Sequence, residues 1–396
     1  MGQGNAGLSL SRDGGEVNSP IGGWEEGNVA GGVFHFSNPV SYIAPSGGAT
    51  SLPCRRKPTM TPPTLAVLFC FPALPLAAQT GPPKAVPADL VDRNGQYAPQ
   101  PMETDVDTIV RVQIYLDEHL HGPGYIDGRI GEFGKKAASV YNQIRDIPVG
   151  NWSALIEAAG KAVPNPYTTY TVQEGDLKYI TPSLPAKPQE QVKLKYLGYR
   201  SLLEFVSERY HTSEPFLVWL NKTGPRLERL DPGDTLQVPN VTPFKLEDWP
   251  KHAKFDKEPA LSARAVAVDI AARVAIFFDE NNKPCASFPI TPGESRFIQF
   301  GEWQITGMIS TPEFRWDKAM LEEGRRSDEF YQLPLGPNSP VGVLWTSTSR
   351  NGIGLHGTSS PHTIGRSESH GCIRFANWDA VRLPQIIRPG ARLVIR

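Results

Sequence analysis

Cysteine is scarce in this chain, with four in 396 residues. Cys54 and Cys70 fall before or inside an apolar run near the N-terminus, which leaves Cys285 and Cys372 for the folded part. Two cysteines make a poor disulfide framework, and an exported protein that needs a free thiol is expected to carry few others. Charge of one sign is also lacking. Lys plus Arg is 40 against Asp plus Glu at 41, so no electrostatic footprint marks a nucleic-acid partner and no polybasic patch marks a membrane surface. Long apolar runs are nearly absent too. The one present, Leu65 to Ala78, is broken by two prolines and too short to cross a bilayer as a helix. With Arg55, Arg56 and Lys57 upstream and Ala77-Ala78 ahead of Gln79, it reads as an export signal, which sends the mature protein to the periplasm or cell envelope. A start at Met60 would make residues 60–78 the signal but would lose the basic flank, and both starts stay open. Glycine (37) and proline (38) are plentiful, as in a chain of short strands, turns and linkers, and the C-terminal part is expected to be mostly β.

The length implies two or three domains. Residues 1–59 have no sustained periodicity and are assigned no fold, and residues 79–103 form a Pro-rich extended linker. Val106, Ile109, Val112 and Leu116 then recur at helical spacing, a Gly-rich turn follows, and Ala137, Ala138, Val140 and Tyr141 begin a second helix. Gly124-Tyr125, Asp127-Gly128, Gly131 and Phe133-Gly134 sit between them. On those residues the segment 104–160 resembles the small three-helix peptidoglycan-binding module, with an unrelated helical hairpin as the alternative. At Tyr170 the run YTVQEGD, the helix-spaced SLLEFVSERYHTSEPFLVWLN and the closing LDPGDTLQVP resemble the lysin motif (LysM), a βααβ glycan-binding unit, over residues 169–241. An insert from about Leu177 to Arg200 departs from that family, so a glycan-binding module and a spacer packed on its neighbour both stay open. Residues 241–261 are charged and Pro-bearing and mark a boundary. From Ala263 the run AVAVDIAARVAIFFDENNKPCASFPI reads as strands around an Asn281-Asn282 turn, with Cys285 as a small buried hydrophobe, and GARLVIR ends the chain as a strand.

The chemistry lies in IGLHGTSSPHTIGRSESHGCIRFANWDA, residues 353–380. Acyl transfer by a thiol needs a nucleophile, a base to take its proton and donors for a tetrahedral oxyanion. Cys372 alone in this stretch has the needed nucleophilicity, and a free thiol of pKa about 8.5 needs a neighbouring imidazole or positive field to react at neutral pH. The order His-Gly-Thr, a Gly-containing loop and Ser-His-Gly-Cys-Ile-Arg resembles the active-site signature of the L,D-transpeptidases, and LPLGPNSPVGVLW resembles the Gly-Pro-x-x-Pro-x-Gly segment of a branch that includes crosslinking and lipoprotein-anchoring enzymes. The resemblance covers residues 263–396 and implies a mainly-β catalytic domain, making the whole chain a small helical module, a βααβ LysM-like module and an acyltransferase. It implies Cys372 as nucleophile, His356 as base and the Gly357 carbonyl as the group that orients the imidazole. Ser369, His370, Gly371 and Arg374 support the site, with amides near Gly371 and Cys372 as oxyanion donors and Arg374 fixing the loop or meeting a substrate carboxylate. His362 matches nothing required, and Trp303, Trp316 and Trp345 either line a groove or fill the core. The family's Thr-Pro-x-Gly segment is not found before Gly301, although Thr291-Pro292-Gly293 lies nearby.

The partners implied are peptidoglycan stem peptides and glycan strands, with another stem, a lipoprotein lysine or water as acceptor, and no nucleic acid. No cofactor and no metal are implied. Two rival readings remain: a zinc site from His356, His362, His370 and Cys372, and a non-catalytic wall-binding protein.

Overall fold

The computed structural model describes residues 105–293, 297, 300–323, 326–350, 352–367 and 371–396. The export signal, the linker of 79–103 and the site candidates Ser369 and His370 lie outside these residues.

Helix α1 (Val106–Glu118) begins where the Asp105 carboxylate accepts the Thr108 amide at 3.0 Å, satisfying one of the donors that a helix start leaves unpaired. The Gly-rich turn after it is organised by one buried side chain. Gln113 donates to the Tyr125 and Arg129 carbonyls and accepts the amides of Asp127 and Gly128. Helix α2 (Glu132–Ile144) starts earlier than the Ala137 expected from periodicity, because Gly131 supplies the extended N-cap. α3 (Trp152–Ala162), capped by Asn151, closes this unit around Leu116, Ala138, Leu155 and Ala159.

Strands β1 (Tyr167–Thr171) and β2 (Thr235–Pro239) pair antiparallel, and between them run α4 (Pro188–Gln191), α5 (Leu202–Arg209) and α6 (Glu214–Leu220). Ser201 and Ser213 cap α5 and α6 at the Glu204 and Phe216 amides. Phe205, Val206, Leu217, Leu236 and Val238 form the buried centre. The charged stretch after β2 packs on its neighbours. Its few apolar residues carry it: Phe244 and Leu246 are buried, and Trp249 Nε1–H donates to the Val343 carbonyl at 2.9 Å.

The C-terminal unit is an eight-stranded sheet. Its strands are β3 (Ala265–Asp269), β4 (Val274–Phe278), β5 (Pro284–Pro289), β6 (Gly301–Ser310), β9 (Leu344–Thr348), β10 (Gly354–His356), β11 (Ile373–Arg374) and β12 (Arg392–Ile395), in the order β11-β10-β9-β6-β12-β3-β4-β5. A separate hairpin of β7 (Phe314–Trp316) and β8 (Tyr331–Leu333) leaves the sheet between β6 and β9. Every residue of β3 and β4 is buried, rather than alternate ones. Both faces are covered: Val266, Val268 and Phe277 join the main core, while Ala265, Ala267 and Ile276 pack toward Val140 of α2.

The three units are joined by a buried ion pair. Asp117 of α1 accepts from Arg382 at 2.6 and 3.2 Å and from His211 Nδ1 at 3.1 Å, so each unit contributes one member. Burial would raise the Asp117 pKa, but Arg382 and His211 outweigh it and hold the carboxyl well below the usual carboxylate range.

Candidate active site

The site is set by the register of two short parallel strands. Leu355 pairs with Ile373 and His356 with Arg374, and both Leu355 and Ile373 are fully buried in the main core. Side chains alternate across a strand, so Gly354, His356, Cys372 and Arg374 face the opposite side together. Extending the register by one residue sets Cys372 opposite Gly354, diagonal to His356 on that face. The intervening cross-strand position is Gly354, which has no side chain to separate them.

His356 is buried, and its Nδ1 lies 2.6 Å from the Gly357 carbonyl. A carbonyl only accepts, so Nδ1 carries the proton and Nε2 keeps its lone pair. Burial, helped by the positive charge of Arg374, lowers the imidazole pKa to about 3, which keeps the ring neutral at any ordinary pH. The Cys372 thiol is raised by burial, opposed by the Gly354 backbone amide and by Arg374. The Cys372 Sγ–H points to the Gly352 carbonyl at 4.0 Å, on the face of the strand pair that carries His356.

Arg374 is fixed through its backbone, giving its N–H to the Thr291 carbonyl at 2.9 Å and accepting the Thr291 amide at 3.0 Å. Gly371 lies at φ +145°, and a Cβ on Gly293 would stand 2.4 Å from its Cα, so the two backbones touch. Thr291-Pro292-Gly293 therefore lies beside the Gly371-Cys372 backbone, while Gly301 opens β6. His362 is exposed on a short turn and lines a cleft with Tyr125 and Arg366. Among the described residues no group of three His, Cys, Asp or Glu side chains is arranged to hold a metal ion.

Residues 263–395 match the sequence model of the YkuD family, the L,D-transpeptidase catalytic domain. The C-terminal domain belongs to that family. The chain is 41% identical over 69 residues to YkuD of Bacillus subtilis, a protein named for L,D-transpeptidase activity, covering 17% of this chain and 42% of that one. It is 31% identical over 100 residues to YqjB of the same organism, similarly named, covering 24% and 49%. The matches thus span less than half of those relatives. Among solved structures, L,D-transpeptidase 3 of Mycobacterium tuberculosis aligns at 15% identity and a TM-score of 0.28, covering 42% of this chain and 76% of that one. The L,D-transpeptidase of Enterococcus faecium aligns at 14% identity and a TM-score of 0.26, covering 33% and 49%.

In this L,D-transpeptidase domain the structure adds two residues that motif reading left undecided or unseen. Trp345 of β9 pairs with His356 across the sheet, and its indole stacks on the imidazole with ring centroids 5.4 Å apart and planes 21° from parallel. Its Nε1–H donates to Ser347 at 2.9 Å. Gly354 makes room for it, since a Cβ there would stand 2.4 Å from the Trp345 ring. The sequence signal available was the glycine two residues before the histidine, which says close approach but not by what.

Proposed function

We propose that this protein is an L,D-transpeptidase that acts on peptidoglycan stem peptides through a Cys372 thioester. The sulfur attacks the carbonyl of a diaminopimelate-type residue in a tetrapeptide stem while His356 Nε2 takes the thiol proton. Amides near Gly371 and Cys372 hold the oxyanion, and Arg374 meets a substrate carboxylate through its planar fork. The tetrahedral adduct collapses with cleavage of the bond to terminal D-alanine, whose amine receives the proton from His356. An acceptor amine then attacks the thioester and restores the thiol. An amine from another stem gives a 3-3 crosslink, a lipoprotein lysine gives a protein attached to the wall, and water gives a carboxypeptidase product.

The observation that carries the reading is the shared face of Cys372 and His356 on paired strands, with Nδ1 tied to Gly357 and Nε2 left as the basic nitrogen. The helical and LysM-like units upstream fit a chain that works on wall material, in the periplasm or cell envelope. Mass spectrometry of tetrapeptide muropeptides incubated with the protein and with Cys372→Ala tests it. Release of D-alanine with a dimeric product, absent in the variant, is the expected result. Release without dimer moves the assignment to carboxypeptidase. No release and no adduct on Cys372 sinks the catalytic reading.

A further inference from the structure

The insert that sets the middle module apart from the LysM pattern reaches the catalytic face. It leaves the module through a closed neck, where the Thr181 amide donates to the Tyr199 carbonyl and the Tyr199 amide to the Tyr179 carbonyl, each at 2.8 Å. The loop between is thus a compact excursion with its ends together. Tyr196 packs back on its own module, whereas the leucines and Val192 of the loop turn away from it. Leu197 is fully buried in a cluster with Phe314, Leu333, Val341 and Trp345, and Cys372 packs against the same cluster. Leu184, Val192 and Leu194 cover it from outside.

The backbone of the loop is tied in as well. Leu197 gives its N–H to the Leu335 carbonyl and accepts the Asn338 amide, each at 2.9 Å, and Asn338 Nδ2 donates to the Gly198 carbonyl at 2.9 Å. A Cβ on Gly336 would stand 2.2 Å from the Leu197 oxygen. The segment so held runs directly into β9 and Trp345. A second tie reaches it from α5, where buried Glu208 hydrogen-bonds Asn377, which accepts the Val343 amide at 3.2 Å.

We propose that this strap, residues 181–198, is a positioning element of the catalytic site: through Leu197 it fixes Trp345, and through Trp345 it fixes the plane of the His356 imidazole beside Cys372. The β7–β8 hairpin is a two-stranded ribbon separate from the sheet, and such a ribbon is marginally stable by itself. The strap completes its core. The middle module is therefore part of the acyl-transfer machinery and not only a tether or a wall-binding arm. This inference rests on the Cys372–His356 pair proposed above.

The test measures the rate of Cys372 alkylation by iodoacetamide in the full chain, read by peptide mass, which needs no wall substrate. The variants are Leu197→Ala, a strap excision that joins the neck with a short Gly-Ser turn, Leu217→Ala as a control in the core of the same module, and His356→Ala alone and combined with Leu197→Ala. We expect Leu197→Ala and the excision to slow alkylation about tenfold or more, as misplaced reacting groups do. Leu217→Ala should lower the melting temperature without that loss. Adding Leu197→Ala to His356→Ala should cost almost nothing further, because the strap acts through the imidazole. Unchanged or faster alkylation in Leu197→Ala and the excision, with His356→Ala still slow, overturns the strap alone. Equal rates for the wild type and His356→Ala overturn the catalytic pair and the strap with it.

Discussion

The two cysteines among the described residues lie at opposite ends of one sheet, Cys285 on β5 and Cys372 at the entry to β11. Both are half-buried, and burial raises both thiols. At Cys285 the Sγ–H donates to the Phe277 carbonyl at 3.5 Å, and burial pushes the pKa up to about 11 with only Arg264 opposing. That edge is closed by α2 and by the His121–Ser287 bridge. At Cys372 a backbone amide and Arg374 oppose the burial, and a neutral imidazole shares its face. Exposure does not distinguish the two thiols. The partner groups do.

The sharpest way to break this contrast is to remove each sulfur in turn. Cys372→Ala should lower turnover of muropeptides by about 10³-fold or more, as loss of a nucleophile does, while Cys285→Ala keeps wild-type turnover. Equal losses would erase the difference between the edges. Next, His356→Ala should reduce turnover by about 10²- to 10⁴-fold, the usual share of a general base, and single-turnover acylation would show it directly.

Asp117→Asn leaves Arg382 as a buried charge without its carboxylate. Urea unfolding should report a loss of about 3–5 kcal/mol. Because the folded Asp117 pKa lies below its unfolded value, its stabilisation is complete above about pH 4 and drains away as pH falls through the folded value. The modules should therefore separate only in acid, which small-angle scattering against pH would follow. The smallest effect is an absence. With His356 neutral down to about pH 3, the rate of Cys372 alkylation should rise with pH without an inflection between 6 and 7. An imidazole-like step there would mean that the ring is solvated and the neutral pair wrong.

The linear sequence carried much of the candidate site's strand pair. His356, Gly357, Gly371, Cys372 and Arg374 occur in fixed spacing because a two-residue strand and its loop leave little freedom. Trp345 was visible only as one of several tryptophans, since nothing local distinguishes a core aromatic from one stacked on the base. The strap reads in sequence as a departure from the LysM pattern, and the stretch after β2 as a charged, Pro-bearing boundary. Their contacts are not legible there because a loop's partners lie far away in the chain: Leu197 meets Leu335, and Trp249 meets Val343.

By itself the sequence determined the candidates for the chemistry: one sulfur, one imidazole, and the glycines that let backbone approach them. Local spacing suffices for that, because register along one strand decides which side chains share a face. Only the tertiary structure decided that three modules form one body around the Asp117–Arg382 pair, and that the middle one reaches the catalytic face. Those contacts join residues separated by 94 to 265 positions, and their energy comes from burial that no local pattern encodes.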